Sequence, residues 1–188
     1  TERVRTEQEL RRHNCELALL NRASWAFAAT LDLEQVLTTV LEETRELLDA
    51  VACSIWLRDA ETQELVSRQA AGPQSDLVQG WRLAPGEGLA GWVARRGESL
   101  IISDAKVDER HLEDVDRATG LETHSVLTVP LKANGGTAGV IQVLDTAVNR
   151  FGAADRALLE SLAASAAMAI ENARLYQEAD RLRAFNQN

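Results

Sequence analysis

Residues 82–104 read RLAPGEGLAGWVARRGESLIISD, which sets a glycine-punctuated turn, a short amphipathic helix and a short apolar strand end to end. Gly86, Gly88 and Gly91 permit a tight turn and close seating of the following helix on a sheet, because a residue without Cβ tolerates positive φ and near backbone approach. The letters also satisfy G-x-G-x-x-G, but a dinucleotide-binding turn must directly follow a buried parallel strand. Here Trp81-Arg82-Leu83-Ala84-Pro85 precedes it, with an antiparallel hairpin upstream. The stretch speaks to fold class more than to chemistry, since no nucleophile, carboxylate pair or metal-ligand cluster accompanies it.

Upstream, residues 51–58 alternate so that Val51, Cys53, Ile55 and Leu57 share one face while Ala52, Ser54 and Trp56 share the other. This is the pattern of a central strand touching two layers. Asp59 to Thr62 closes a hairpin onto a more polar return strand, residues 64–70, suited to a sheet edge, and residues 72–75 open a loop. Downstream, residues 99–103 form a short strand. The acid-rich connection 104–122 follows, with a weak helix from about His111 to Thr119 stopped at Gly120. Two apolar strands, residues 125–132 and 137–145, flank Asn134-Gly135-Gly136, a strong hairpin signal, so the sheet is mainly antiparallel.

The 188 residues suffice for one domain with helical extensions. The balance of 29 acids against 20 bases gives a net charge of −9 and argues against nucleic-acid binding. The longest low-polarity run, residues 157–170, is broken by Glu160, Ser161 and Ser165, so no direct membrane insertion is expected. Cys15 and Cys53 sit in unlike contexts and suggest neither a disulfide nor a zinc site, which makes a reducing cytoplasm the simplest compartment. The chain opens on Thr1 and ends at Asn188 within a helical pattern, and we expect it to be excised from a larger protein.

Residues 1–29 form a linker helix with a coiled-coil-like stripe of Leu10, Leu17, Leu20 and Phe27. Asp32 then caps a fresh helix whose inner face carries Val36, Leu37, Val40, Leu41, Leu47 and Leu48. The last helix starts near Ala153, and its stripe outlives the domain, passing through Ile170 and Ala173 to Leu175 and Leu182. These two stripes predict a homodimer held by a parallel four-helix bundle, with domain limits at residues 1–29, 30–173 and 174–188.

The order of elements resembles a GAF domain over residues 30–173. The most specific parts are Gly86-Glu87-Gly88-Leu89-Ala90-Gly91-Trp92 and Ser125-Val126-Leu127-Thr128-Val129-Pro130-Leu131, followed by the strand Gly139-Val140-Ile141-Gln142-Val143-Leu144. The resemblance implies an α+β, PAS-related fold: a six-stranded antiparallel sheet with helices on one face. On the other it implies a pocket roofed by the helix after the glycine turn and by the acidic loop. It further implies a sensory module of a bacterial signal-transduction protein of the sensor histidine kinase or diguanylate cyclase type. Such a module has a covalently linked output domain and a small-molecule ligand.

Residues placed to line such a pocket are Ser54, Trp56, Leu89, Ala90, Trp92, Ser103, Asp104, His124 and Gln142, with the N–H groups of Leu89 and Ala90 offered to a ligand oxygen. The loop's acid excess favours neutral or cationic ligands over phosphates. Residues 104–122 contain no cysteine, so a covalent bilin is not expected. Asn149-Arg150-Phe151 with Asp155 is similar to a cyclic-nucleotide signature of the family, but Arg150 and Arg156 depart from it and the spacing is compressed. Phe151 is read instead as a core plug and Asp155 as a first-turn residue, and a cyclic nucleotide is not assigned. Sulfoxide reduction in related enzymes needs several pocket thiols, and Cys53 has no companion, so no catalysis and no catalytic residue are expected. No metal site is assigned. The alternatives are a structural relay without ligand, and a haem or metal gas or redox sensor using His111 or His124.

Overall fold

The computed structural model describes residues 2–28 and 30–187. In chain order the elements are α1 (Glu2–Ala28), α2 (Leu33–Leu48), β1 (Ala52–Arg58), β2 (Leu65–Ala71), α3 (Ser75–Val78), β3 (Arg82–Leu83) and α4 (Gly88–Arg96). They continue with β4 (Leu100–Ile102), a 3-10 turn (Ala105–Val107), α5 (Glu113–Thr119), β5 (Ser125–Ala133), β6 (Gly136–Asp145) and α6 (Ala153–Asn186). The six strands form one antiparallel sheet in the order β3-β2-β1-β6-β5-β4.

Local chemistry sets the punctuation. Asp32 accepts hydrogen bonds from the N–H groups of Glu34 and Gln35, satisfying two of the free donors at the start of α2. Asn134 (φ 49°) and Gly135 (φ 79°) take the two left-handed positions that a tight hairpin of matching twist needs between β5 and β6. Two short elements were not expected. The loop after Gly72 winds into α3, and the residues before the glycine turn pair with β2 as a two-residue strand, Leu65 opposite Leu83 and Val66 opposite Arg82. The return strand β2 is therefore not an edge along its whole length. Beyond β3, Ser67 still exchanges backbone bonds with Gly80 and Trp81, which cover its rim.

The sheet separates two interiors. On the helical side, Cys53, Ile55, Leu57, Leu127, Val129, Leu131, Ile141 and Val143 meet α2 and the first half of α6. From α2 come Val36, Leu37, Val40, Leu41 and Leu48, all buried, with Leu47 half-buried beside them. Phe151 plugs the same layer, and Asp155 accepts from the Gly152 N–H at the start of α6, as the sequence suggested for both. Arg150 donates to the Leu48 carbonyl, and Asn149 donates its N–H to the Ser103 carbonyl, so this segment ties loops together.

The terminal helices partly correct the expected interface. The end of α1 docks on its own domain: Ala23 is buried, Leu20 packs half-buried against the core, and Arg22 pairs with Glu43 and Glu46 of α2. Ile170 and Ala173 are 1% and 0% exposed within the single chain. They cannot form an interface between copies, because the stripe of α6 is consumed by α1, α2 and β5 up to Ala173. Leu10, Leu17, Leu175 and Leu182 stay exposed, as do Val4, Trp25, Met168, Tyr176 and Phe185. The side chain of Phe27 lies outside the described residues.

Candidate functional site

The opposite face of the sheet carries a cavity of about 70 Å3. Its floor is Ala52, Ser54 and Trp56 of β1, Ala70 of β2, and Gln142 and Leu144 of β6. Strand alternation puts these side chains together, and the register sets Ser54 directly opposite Gln142. Each is held by a hydrogen bond: the Trp56 indole N–H donates to Ser54 Oγ at 2.8 Å, and Gln142 Nε2 donates to Thr128 Oγ1 at 3.1 Å. Cys53 also borders the space. Burial pushes its thiol up to about 12, so it stays protonated near neutral pH and is a poor nucleophile.

The roof is α4. Gly86 and Gly88 have φ of 80° and 69°, which any Cβ would strain. Gly91 has a different reason: a Cβ there would stand 2.7 Å from the Gly86 carbonyl carbon, so the helix folds back onto its own entry turn only with glycine. Glu87 turns its carboxylate back to the Ala84 N–H and does not cap α4. Leu89, Ala90, Val93 and Ala94 are buried, and Leu89 and Ala90 reach the cavity.

The third wall is the acidic connection, which α5 breaks up as expected, Gly120 ending it in the left-handed conformation, and which a 3-10 turn also interrupts. His111, Leu112, Val115, Asp116, Thr119 and Leu121 close the space over the floor. Asp116 is the anchor: it is 8% exposed, Oδ2 lies 2.8 Å from His111 Nε2, and Oδ1 accepts from Thr123 Oγ1 at 2.8 Å. Burial works to raise the Asp116 pKa, but the bonds from His111 and Thr123 and the nearby Lys106 ammonium outweigh it, and the carboxyl lies below its usual range. Outside the cavity, Arg110 grips Asp108 through two nitrogens and sits 4.8 Å from the Trp92 ring centre, with Arg96 at 5.0 Å. This clamp, together with Leu112 against Gly88, joins the lid to α4.

Of the residues singled out from sequence, Ser54, Trp56, Leu89, Ala90 and Gln142 line the cavity. Four do not. Trp92 lies on the outer flank of α4, where its ring meets two guanidinium groups. Ser103 is exposed, and its carbonyl accepts from Ser125 Oγ and the Asn149 N–H. Asp104 caps the 3-10 turn and pairs with His124 Nδ1 at 2.8 Å, the His124 contact being the main reason its pKa falls. Both belong to a clasp at the end of β4 and β5, beyond the cavity. The lid residues His111 and Asp116 were not assigned to the ligand. The signal available was the spacing of Leu112, Val115, Asp116 and Thr119, which puts Asp116 on one helical face with two apolar residues. Among the described residues no group of three or more His, Cys, Asp or Glu side chains is placed to hold a metal ion, and no helix is long and apolar enough to cross a membrane.

The sequence profile of the GAF domain matches residues 32–170. A probable 3′,5′-cyclic phosphodiesterase of Caenorhabditis elegans is 28% identical over 169 residues, covering 85% of this chain and 23% of that protein. The chain thus spans under a quarter of that relative's length. Among solved structures, the GAF domain of a phosphoenolpyruvate-protein phosphotransferase from Coxiella burnetii superposes with a TM-score of 0.79. It is 28% identical and covers 87% of this chain and 96% of its own. A free methionine-R-sulfoxide reductase from Neisseria meningitidis shares the fold alone, with a TM-score of 0.73 at 20% identity over 86% of this chain and 91% of its own. With the β3-β2-β1-β6-β5-β4 sheet, the glycine-turn roof and the profile in agreement, the chain belongs to the GAF domain family, whose role is regulatory and sensory.

Proposed function

We propose that this domain is the sensory module of a larger cytoplasmic signalling protein, binding a small molecule between sheet and lid and passing its occupancy to a covalently linked output domain. The observation that carries the reading is the cavity itself, enclosed by three separate elements on the face of the sheet opposite the long helices. A ligand that favours the closed lid shifts the population of closed molecules. The sheet lies between that lid and the helices that leave the domain.

Homodimerisation through the outer parts of α1 and α6 is the second element of the proposal. After Ala173, every residue of α6 from Leu175 to its end is exposed, in a helix that carries Leu175, Leu182 and Phe185. An isolated stretch of this kind is marginal in water without a partner for its apolar stripe. A small shift of such helices is a physically reasonable carrier of a signal to the next domain. For that output we propose a kinase, cyclase or phosphodiesterase, the last being the activity named in curated relatives.

A cyclic nucleotide is not carried over from those relatives. The cavity is far below the roughly 300–1,000 Å3 typical of sites for drug-sized ligands. We also propose that the domain itself is not catalytic, since Cys15 is exposed on α1 and Cys53 is buried with its pKa raised, leaving no thiol pair at the cavity. A relay without ligand is favoured only by the small cavity volume.

Native mass spectrometry of undenatured protein tests the reading, because it reports subunit number and retained ligand together. A dimer with excess mass that is lost on denaturation is expected. A monomer at the bare chain mass, unchanged by small-molecule screening, would contradict it.

A further inference from the structure

Resting on the reading of the cavity as a ligand site, we propose a selectivity for it: compact, mostly apolar ligands that carry a hydrogen-bond donor and no anionic group, read by His111 Nδ1.

The size comes first. About 70 Å3 is room for several waters or a ligand of a few heavy atoms, since one water needs roughly 10–15 Å3 on this measure. The walls are mostly hydrocarbon, with Ala70, Val78, Leu83, Leu121 and Leu144 among them. An apolar body therefore suits the space.

Charge comes second. Among the described residues no lysine or arginine lines the cavity, and the one formally charged side chain in its wall is Asp116. Its bonds from His111 and Thr123 keep it in the form that accepts hydrogen bonds. The competing feature is the uncapped start of α4, whose N–H groups attract negative charge. That end is worth about half a unit charge, and Lys106 offsets part of the Asp116 charge from 3.8 Å, but Lys106 stands outside the lining while Asp116 is in the wall. An anion entering the cavity is therefore repelled on balance.

Hydrogen-bond inventory comes third. A carboxylate accepts only, so His111 Nε2 carries the proton in its 2.8 Å contact with Asp116. In a neutral imidazole Nδ1 is then an acceptor, and no hydrogen bond among the described residues uses it. On the floor, the indole N–H of Trp56 is committed to Ser54 and one amide N–H of Gln142 to Thr128, which leaves the Gln142 Oε1 and its other N–H as the polar groups there. The acceptor of His111 is the polar handle that remains on the lid, and a ligand bonded to it ties the lid to its own contents.

Three small probes on the wild-type chain test this at about pH 8. They are 1-butanol, its isomer diethyl ether, which has no donor hydrogen, and butyrate. Chemical-shift titration of the Trp56 indole N–H reads binding. Butanol is expected to bind about three- to tenfold more tightly than the ether, the worth of one neutral hydrogen bond, with butyrate weakest. In His111→Phe the gap between butanol and ether should close while ether binding persists. Ether or butyrate matching butanol would overturn the selectivity and leave the ligand site standing. Failure of all three to bind would overturn both.

Discussion

Along β1, successive residues enter two unlike interiors. Cys53, Ile55 and Leu57 join a layer sealed by α2 and α6, in which nearly every side chain is hydrocarbon and fully buried. Ser54 and Trp56 join a layer closed by α4 and by a lid of one short helix, a 3-10 turn and loop, where packing is interrupted by a cavity and polar groups pair with each other. The helical side holds much of the domain's stability. The lid side holds its ability to respond, because elements with few apolar contacts and more solvated backbone open at lower free energy.

The sharpest contrast comes from truncating one apolar residue on each side. Ile141→Ala, at a fully buried site on the helical side, should cost about 2–5 kcal/mol in urea unfolding. Leu121→Ala, on the half-buried lid and beside an existing void, should cost less than about 2 kcal/mol. Equal losses would break the comparison.

Asp116→Asn tests whether the lid is fastened by charge. Replacing an ionised acceptor bonded to His111 and Thr123 should cost about 1.5–3 kcal/mol above pH 6. The folded-state pKa of Asp116 is depressed, so its contribution is complete above the ordinary aspartate value of about 4. It is lost as pH falls through the lower folded value. Urea midpoints measured from neutral to acid pH should therefore converge for wild type and variant at the acid end. A constant gap would mean the carboxylate charge does not fasten the lid.

Trp92→Ala removes the ring that Arg96 and Arg110 flank and should cost the clamp about 0.5–1 kcal/mol. Faster amide exchange at residues 108–112, with β1 and β6 unchanged, would localise the effect to the lid. The smallest stability effect belongs outside the sheet. Leu175→Asp with Leu182→Asp should leave the unfolding midpoint nearly unchanged yet lower the mass in light scattering to that of a monomer. An unchanged dimer would contradict the helix-mediated interface.

The fold was legible because its signals are local or periodic. The glycine turn, Asn134-Gly135, the Asp32 cap and the alternation of β1 each depend on a few neighbouring residues, and all appear in the structure. The strand β3 escaped because two residues carry no period, and its pairing with Leu65 and Val66 is a property of the sheet. The floor of the site was legible for the same reason as β1, since alternation alone puts Ser54, Trp56 and Gln142 on one face. The lid was not. Its residues are placed by tertiary bonds such as Thr123 to Asp116, seven positions apart, which no short-range pattern encodes. Ser103, Asp104 and His124 were misplaced because a polar residue at a strand end serves a clasp as readily as a cavity. Ile170 and Ala173 show the matching limit for helices: a stripe reveals that a face is buried, and not whether the partner lies in the same chain.

Native-state hydrogen exchange across the whole domain tests the central claim most directly. The lid, residues 104–122, should exchange through local opening at a free energy well below that of global unfolding, while amides of β1, β6 and α2 exchange only with global unfolding. Protection of the lid equal to that of β1 and β6 would contradict a sheet with one sealed face and one that opens.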